Sequence, residues 1–416
     1  MSAIRDALLL QKNELDKKFK QKYIERDAKI SGISTDMIKV IIGPRRAGKS
    51  FFAVHELIGS VNFGSANFDD EVLSEAEDYN EIVDEINSLY DKPEILLFDE
   101  IQNLEKWELF VNRLQRQGYN LIITGSNSNL LSKELATHLT GRHLATSIFP
   151  LSFKEFIAYD GRELTSSEKR AKLSDYAVCG GYPEPLVKGL DYDEYLSTLF
   201  DSIIYKDIVK RYKIRKPKMI EELAKYLISN SAKEFSYSNL AKMTNSDSDI
   251  TIKKYLSYLK EAFIFFEVDR YSAKVKEQIT SNKKIYCIDN GFIGARAFKV
   301  GEDRGRLYEN LVAIELMRRR TNGALEFYYW KNQQHEEVDF IIRERGRITQ
   351  ALQVCSDVSR INTKNRETRA LLKCSKELKC NNLTVLTLDY EAEERIEWFS
   401  IKRSVKFVPM WKWLTT

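Results

Sequence analysis

The chain has 416 residues, 43% of them hydrophobic, with 65 Lys plus Arg against 61 Asp plus Glu and a formal charge of +4. That is apolar material for roughly two to four domains with real cores, and no apolar run approaches the length of a membrane span. The five cysteines lack CxxC spacing and stand beside only four histidines, which argues against a zinc site or a disulfide framework and fits a reducing cytoplasm.

The first 23 residues, MSAIRDALLLQKNELDKKFKQKY, are too charged for a signal peptide and lack a small-residue cleavage site. They predict an amphipathic helix within an N-terminal element over 1–36, packed on the adjoining region of the chain or on a neighbouring subunit. The apolar run Met37–Ile42 then predicts a strand, GPRRAGKS a loop, and SFFAVHELI a helix. This strand, loop and helix context is what a phosphate cradle needs. Gly43 and Gly48 allow the tight path that turns successive N–H groups inward, so Gly43, Pro44, Arg45, Arg46, Ala47, Gly48, Lys49, Ser50 and Phe51 are the expected triphosphate contacts. Lys49 is expected to reach the β and γ phosphates and Ser50 to ligate Mg²⁺.

EILLFDE is an apolar strand ending in two acids, with Asp99 expected in the Mg²⁺ shell and Glu100 expected to polarise an attacking water. The strand Asn120–Thr124 ends in Gly125-Ser126-Asn127. If it lies between the two preceding motif strands, either Ser126 or Asn127 stands beside the γ-phosphate. Arg142 precedes another short strand, expected at 145–149. Helices are expected over 151–204, with Gly180, Gly181, Pro183 and Pro185 forming a turn between two of them.

Positive charge is concentrated farther on, with 18 basic and 10 acidic residues between Tyr205 and Lys284. Helices are expected over Met219–Ser229, Tyr237–Met243 and Ile250–Ala262, then strands over Phe263–Val268 and Lys284–Ile288, in a winged-helix pattern. Ile252, Leu256 and Leu259 share one face of the third helix, leaving Lys253, Lys254 and Lys260, with Lys242 before them, as expected contacts to DNA phosphates. Beyond these, Gly305–Glu309 opens a helix, Glu337–Ile341 begins a strand and Leu352–Cys355 belongs to the next one.

GPRRAGKS, ILLFDEIQN, LIITGSNSNLLS, LTGR and PLSFKEF, in this order, resemble prokaryotic and archaeal AAA-type ATPases that carry a C-terminal nuclease-like domain. GGYPEP, YKDIVKRY, KIYCIDNGF and VPMWKWL extend the resemblance over nearly the whole chain. It implies an α/β fold class: a P-loop ASCE/AAA-type parallel sheet over 37–150 with a helical lid over 151–204. A winged-helix domain over 205–290 and a restriction-endonuclease-like domain over 291–416 would complete the chain. It further implies ATP and Mg²⁺ as cofactors, hydrolysis to ADP, and cytoplasmic assembly into a homo-oligomeric ring, a hexamer being favoured. In such a ring Arg142 reaches the neighbouring subunit's nucleotide, and the work is done on DNA. A nucleotide-dependent switch or scaffold that binds a protein partner is the second reading.

In the nuclease-like part, Glu309 and Asp339 match a helix acid and a strand aspartate that hold metal. Gln353 stands where a second metal-binding acid is expected, and Cys355 where a lysine is expected. An amide is a weak neutral ligand and a thiol cannot supply an ammonium, so this degenerate site is expected to be dead for cleavage, with an active metal-dependent nuclease as the weakest reading.

Overall fold

In the computed structural model, which describes residues 2–18, 20–59, 61–126, 139, 141–246, 248–297, 304–323 and 325–416, the apolar runs of the first 150 residues form one parallel sheet. Strands β1 (Ile38–Ile42), β2 (Phe63–Asn67), β3 (Ile95–Asp99), β4 (Asn120–Gly125) and β5 (His143–Ser147) lie in the order β2-β3-β4-β1-β5. β1 is buried at every position and β3 from Ile95 to Phe98, as central strands covered on both faces should be. One face is covered by Ile82, Ile86, Phe110 and Leu114, which pack with Phe98, Val40 and Leu121 of the sheet. The other is covered by Phe52, Ala53 and Leu57 against Ile41, Leu97 and Ile122. The helix Trp107–Arg116 buries Trp107, Phe110, Val111 and Leu114, the spacing of one helical stripe.

The N-terminal helix Ala3–Lys18 packs on this layer through Ile4 and Leu8. Arg5 pairs with Glu85 at 2.6 Å, and Lys12 donates to Leu89 O at 2.7 Å. Gln11 Nε2 donates to Asn67 O at 3.0 Å while its Oε1 accepts from Asn67 N at 2.8 Å.

Contacts divide the chain into two units, one of residues 1–150 with 261–263, the other of 151–260 with 264–416. The second unit begins with the helices Phe153–Ala158, Ser166–Cys179, Pro183–Lys188 and Tyr192–Ser202. Capping boxes at Ser152/Glu155 and Thr165/Glu168 start the first two. The turn expected around the two prolines is confined to Gly180 and Gly181, because Pro183 opens a helix at its first position, where the fixed φ and missing N–H of proline cost nothing. Gly180 has φ +74°, and a Cβ there would lie 1.8 Å from Asp289 Oδ1. Asp289 in turn accepts from Gly181 N and Gly291 N, both at 2.8 Å. A π-helical stretch, Ile203–Lys210, continues directly from the fourth helix.

Helices Pro217–Ser229, Tyr237–Met243 and Asp249–Glu261 come next, together with a three-stranded antiparallel sheet. Its strands β6 (Glu234–Phe235), β7 (Phe265–Val268) and β8 (Lys283–Cys287) lie in the order β6-β8-β7. The final region is a six-stranded mixed sheet flanked by helices Arg304–Asn322 and Ile361–Leu378. Strands β9 (Leu325–Lys331), β10 (Glu337–Glu344), β11 (Arg347–Val354), β12 (Leu383–Thr387), β13 (Ala392–Trp398) and β14 (Ile401–Pro409) take the order β13-β14-β12-β11-β10-β9.

Candidate functional site

β1 ends at Ile42, and the next position takes only glycine because a Cβ there would lie 1.8 Å from Ile148 O. Gly48, at φ 93° and ψ 20°, is the left-handed residue that starts the helix Lys49–Leu57, and Phe52 N donates to its carbonyl at 2.9 Å. Between the two glycines the loop is held by Ala47 N donating to Pro44 O at 3.2 Å. Arg26, buried in the preceding segment, donates to Ala47 O at 3.0 Å and to Phe149 O, so it ties the loop to the chain beyond β5. No sequence signal distinguishes this arginine from a surface one.

Lys49 is buried, its Nζ donating to Pro44 O at 3.1 Å and lying 3.6 Å from Glu100 Oε1. Ser50 Oγ donates to Asp99 Oδ1 at 2.9 Å. β4 stands between β1 and β3, which brings Thr124 to the acids: its hydroxyl donates to Asp99 Oδ1 and accepts from Glu100 N at 3.1 Å. Glu100 adopts a left-handed backbone conformation, φ 51°, that carries the chain away from the strand axis. Its Oε2 accepts from Ser126 Oγ at 3.1 Å and from Gln102 Nε2. Lys49, Ser50, Asp99, Glu100 and Ser126 are thereby collected at the carboxyl ends of three adjacent strands. Thr124 and Gln102 are the partners that the sequence does not single out; a hydroxyl at the end of an apolar strand is the available signal for the first.

The two acids differ electrostatically. Burial, and then the neighbouring Glu100 charge, push the Asp99 carboxyl above the usual range against the opposing effect of the Thr124 and Ser50 hydroxyls. Burial acts on Glu100 in the same direction, but Lys49, Gln102, Ser126 and Arg45 outweigh it and hold that carboxyl below its ordinary value. Glu100 is thus kept as an anion, ready to accept a hydrogen bond, while Asp99 is the carboxylate that would gain most from a cation.

Asn127 lies outside the described residues. Arg142 is exposed and is not brought to the cradle: its carbonyl accepts from Ile38 N, which sets it at the start of β1, the opposite end of the strand from Gly43.

Of the lysines expected at DNA, Lys242, Lys253 and Lys254 are exposed. Lys253 lies over the Tyr237 ring at 5.1 Å and Lys254 over the Tyr258 ring at 5.9 Å, while Ile252, Leu256 and Leu259 are buried. Lys260 is committed instead to Glu267, at 2.6 Å across the turn into β7. In the final region Glu309 and Asp339 both face the Lys284 ammonium, at 2.7 and 3.6 Å. Gln353 is turned to other work, its Oε1 accepting from Asp339 N at 3.2 Å and its Nε2 donating to Glu367 at 2.8 Å. The Cys355 thiol is buried, which pushes it up to about 11.

The sequence matches an AAA domain over residues 35–157, a domain of unknown function (DUF8612) over 170–302 and another (DUF4143) over 304–413. It is 36% identical to the uncharacterized protein MJ1544 of Methanocaldococcus jannaschii, over 95% of this chain and 92% of that protein. An uncharacterized protein of Haemophilus influenzae is 33% identical over 76% of this chain and 81% of its own length. Among solved structures, the Walker-type ATPase PABY2304 of Pyrococcus abyssi aligns with a TM-score of 0.42 at 15% identity, covering 68% of this chain and 95% of that one. The chain belongs to the same family as the Methanocaldococcus jannaschii and Haemophilus influenzae proteins, and its N-terminal region is an AAA-type P-loop ATPase domain.

Proposed function

We propose that the chain binds ATP with Mg²⁺ at residues 43–51 and hydrolyses it, using Glu100 to orient and polarise the attacking water. The observation that carries this reading is one cluster of polar contacts: Ser50 hydrogen-bonded to Asp99, Ser126 hydrogen-bonded to Glu100, and Lys49 ion-paired with Glu100. The residues fit the cofactor. Both glycines are required by the backbone path, and Ser50 and Asp99 present two hard oxygens side by side, the ligand type that Mg²⁺ takes. Mg²⁺ held there would neutralise charge on the phosphates. Lys49 supplies a donor to phosphate oxygens, Glu100 is held ionised to orient water, and Ser126 fixes the Glu100 carboxylate.

Arg142, distant from its own cradle, suits a subunit ring in which it serves the neighbouring nucleotide. Glu100→Gln should bind ATP and release phosphate on the order of 10³-fold more slowly. Turnover by that variant at the wild-type rate would remove the hydrolytic role from Glu100.

The work of hydrolysis is directed at DNA through the 205–290 segment, read as a winged helix, and residues 291–416 are a cleavage-dead nuclease-like domain. The exposed Lys242, Lys253 and Lys254 support the DNA reading. The Lys253→Ala/Lys254→Ala double variant should lower the salt dependence of DNA affinity in gel shifts by about two units of log–log slope. An unchanged slope would favour the second reading, a nucleotide-driven switch for a protein partner, which is also supported by the commitment of Lys260 to Glu267.

A further inference from the structure

Arg26 lies in the segment between the helix Ala3–Lys18 and β1, outside every motif of the cradle, yet it is 6% exposed. Its Nη1 donates to Ala47 O at 3.0 Å and its Nη2 to Phe149 O. Phe149 follows Ile148, whose carbonyl stands where a Cβ at Gly43 would be and whose N–H donates to Ile42 O at 2.7 Å. The chain beyond β5 therefore meets the loop twice, directly at its first glycine and through Arg26 at the residue before its second.

The consequence falls on the peptide between Ala47 and Gly48. In a planar trans peptide the C=O and the following N–H point in opposite directions. A guanidinium that fixes Ala47 O on one side of the loop thereby fixes Gly48 N–H on the other. Gly48 is the residue from which the helix Lys49–Leu57 starts, where unpaired main-chain N–H groups collect. The plane of this peptide turns with φ of Gly48, and a glycine at φ 93° opposes such rotation little, so an anchor on the carbonyl is what selects one orientation. The opposite orientation would turn Ala47 O, and not an N–H, toward an anion. The guanidinium is always charged, and a charge-assisted bond to the carbonyl also polarises the peptide and strengthens its N–H as a donor.

We propose that Arg26 is a positioning residue for the phosphates: it holds the Ala47–Gly48 peptide with its carbonyl outward and Gly48 N–H toward the nucleotide, without touching the nucleotide itself. The inference rests on the reading of residues 43–51 as an ATP site.

The test is nuclear magnetic resonance of the full chain labelled with carbonyl-¹³C alanine and ¹⁵N glycine. Ala47-Gly48 is the only Ala-Gly step in the sequence, so one correlation reports both halves of the peptide. In the unaltered chain, ADP with Mg²⁺ should move the Gly48 amide proton downfield. Arg26→Met should move the Ala47 carbonyl carbon upfield before any nucleotide is added, and should abolish the Gly48 shift at saturating ADP. Its Kd for ADP, by calorimetry, should rise about 10- to 100-fold, the effect of one lost charge-assisted contact. Arg26→Lys, which keeps the charge and can still reach Ala47 O, should restore part of the affinity and of the Gly48 shift, a rescue that general loosening of the fold would not give. An Arg26→Met chain that kept the Ala47 carbonyl shift, or bound ADP within about threefold of the unaltered chain, would overturn the proposal. So would an Arg26→Lys chain no better than Arg26→Met, or failure of both variants to fold, which would make Arg26 a folding determinant only. An unaltered chain that bound no ADP would remove the ATP reading and this proposal with it, an outcome distinct from failure in the variants alone.

Discussion

Two lysines in this chain are buried to the same degree, each with a side chain 3% exposed and each facing acids, yet their surroundings differ in kind. Lys49 meets one carboxylate, Glu100, and spends a donor on the main-chain carbonyl of Pro44. Lys284 meets three carboxylates. A neutral carbonyl holds an ammonium weakly, whereas three acids hold it in place. Burial of a lysine therefore says little about availability. The number of anions around it decides whether it can turn to another acceptor.

The contrast can be broken most sharply on the Lys49 side. Glu100→Gln keeps the shape of the side chain but removes the charge that faces Lys49, and phosphate release should fall on the order of 10³-fold while nucleotide binding persists in a fluorescent-analogue titration. Arg142→Ala should lose turnover by a similar or somewhat smaller factor, about 10³-fold at most, with an unchanged circular dichroism spectrum. Mixing the two inactive variants sharpens the point. Partial recovery of turnover requires that Arg142 act across subunits, and no recovery would place its effect within one chain.

On the Lys284 side, Lys284→Ala should lower stability to urea by ~3–5 kcal/mol, because it leaves buried acids without their cation. A loss below about 1 kcal/mol would mean that the cluster is solvated and that the contrast with Lys49 is illusory. The smallest effect is expected at Thr124→Val. It removes a hydroxyl from Asp99 and an acceptor from Glu100 N, and should cost ~1–2 kcal/mol in the same urea titration.

The nucleotide cradle is legible in the sequence because its chemistry is local. Gly43 to Ser50 are contiguous, Asp99 and Glu100 are adjacent, and each motif comes after an apolar strand whose parallel pairing is short and regular. The parallel sheet of the first unit is readable from the same runs. What the sequence conceals is side-chain partnership across distance. Lys284 and Lys260 both count as free positive charge in a basic segment, and both are spent on acids that only the folded strands bring near. The helix at Pro183 escapes for a different reason, since proline reads as a breaker where it is a favourable first residue. β6, two residues long, pairs with β8 and carries too short an alternation to be seen.

The pairing of Gln11 with Asn67 has its own consequence. β2 is the outermost strand of its sheet, and its terminal peptide would otherwise offer a free N–H and C=O to any passing extended chain. The Gln11 amide presents a donor and an acceptor in the same arrangement as a backbone peptide, so it completes that last rung with a side chain. The sheet is sealed at this margin by a helix, and the template for unwanted strand-to-strand growth between molecules is withdrawn there.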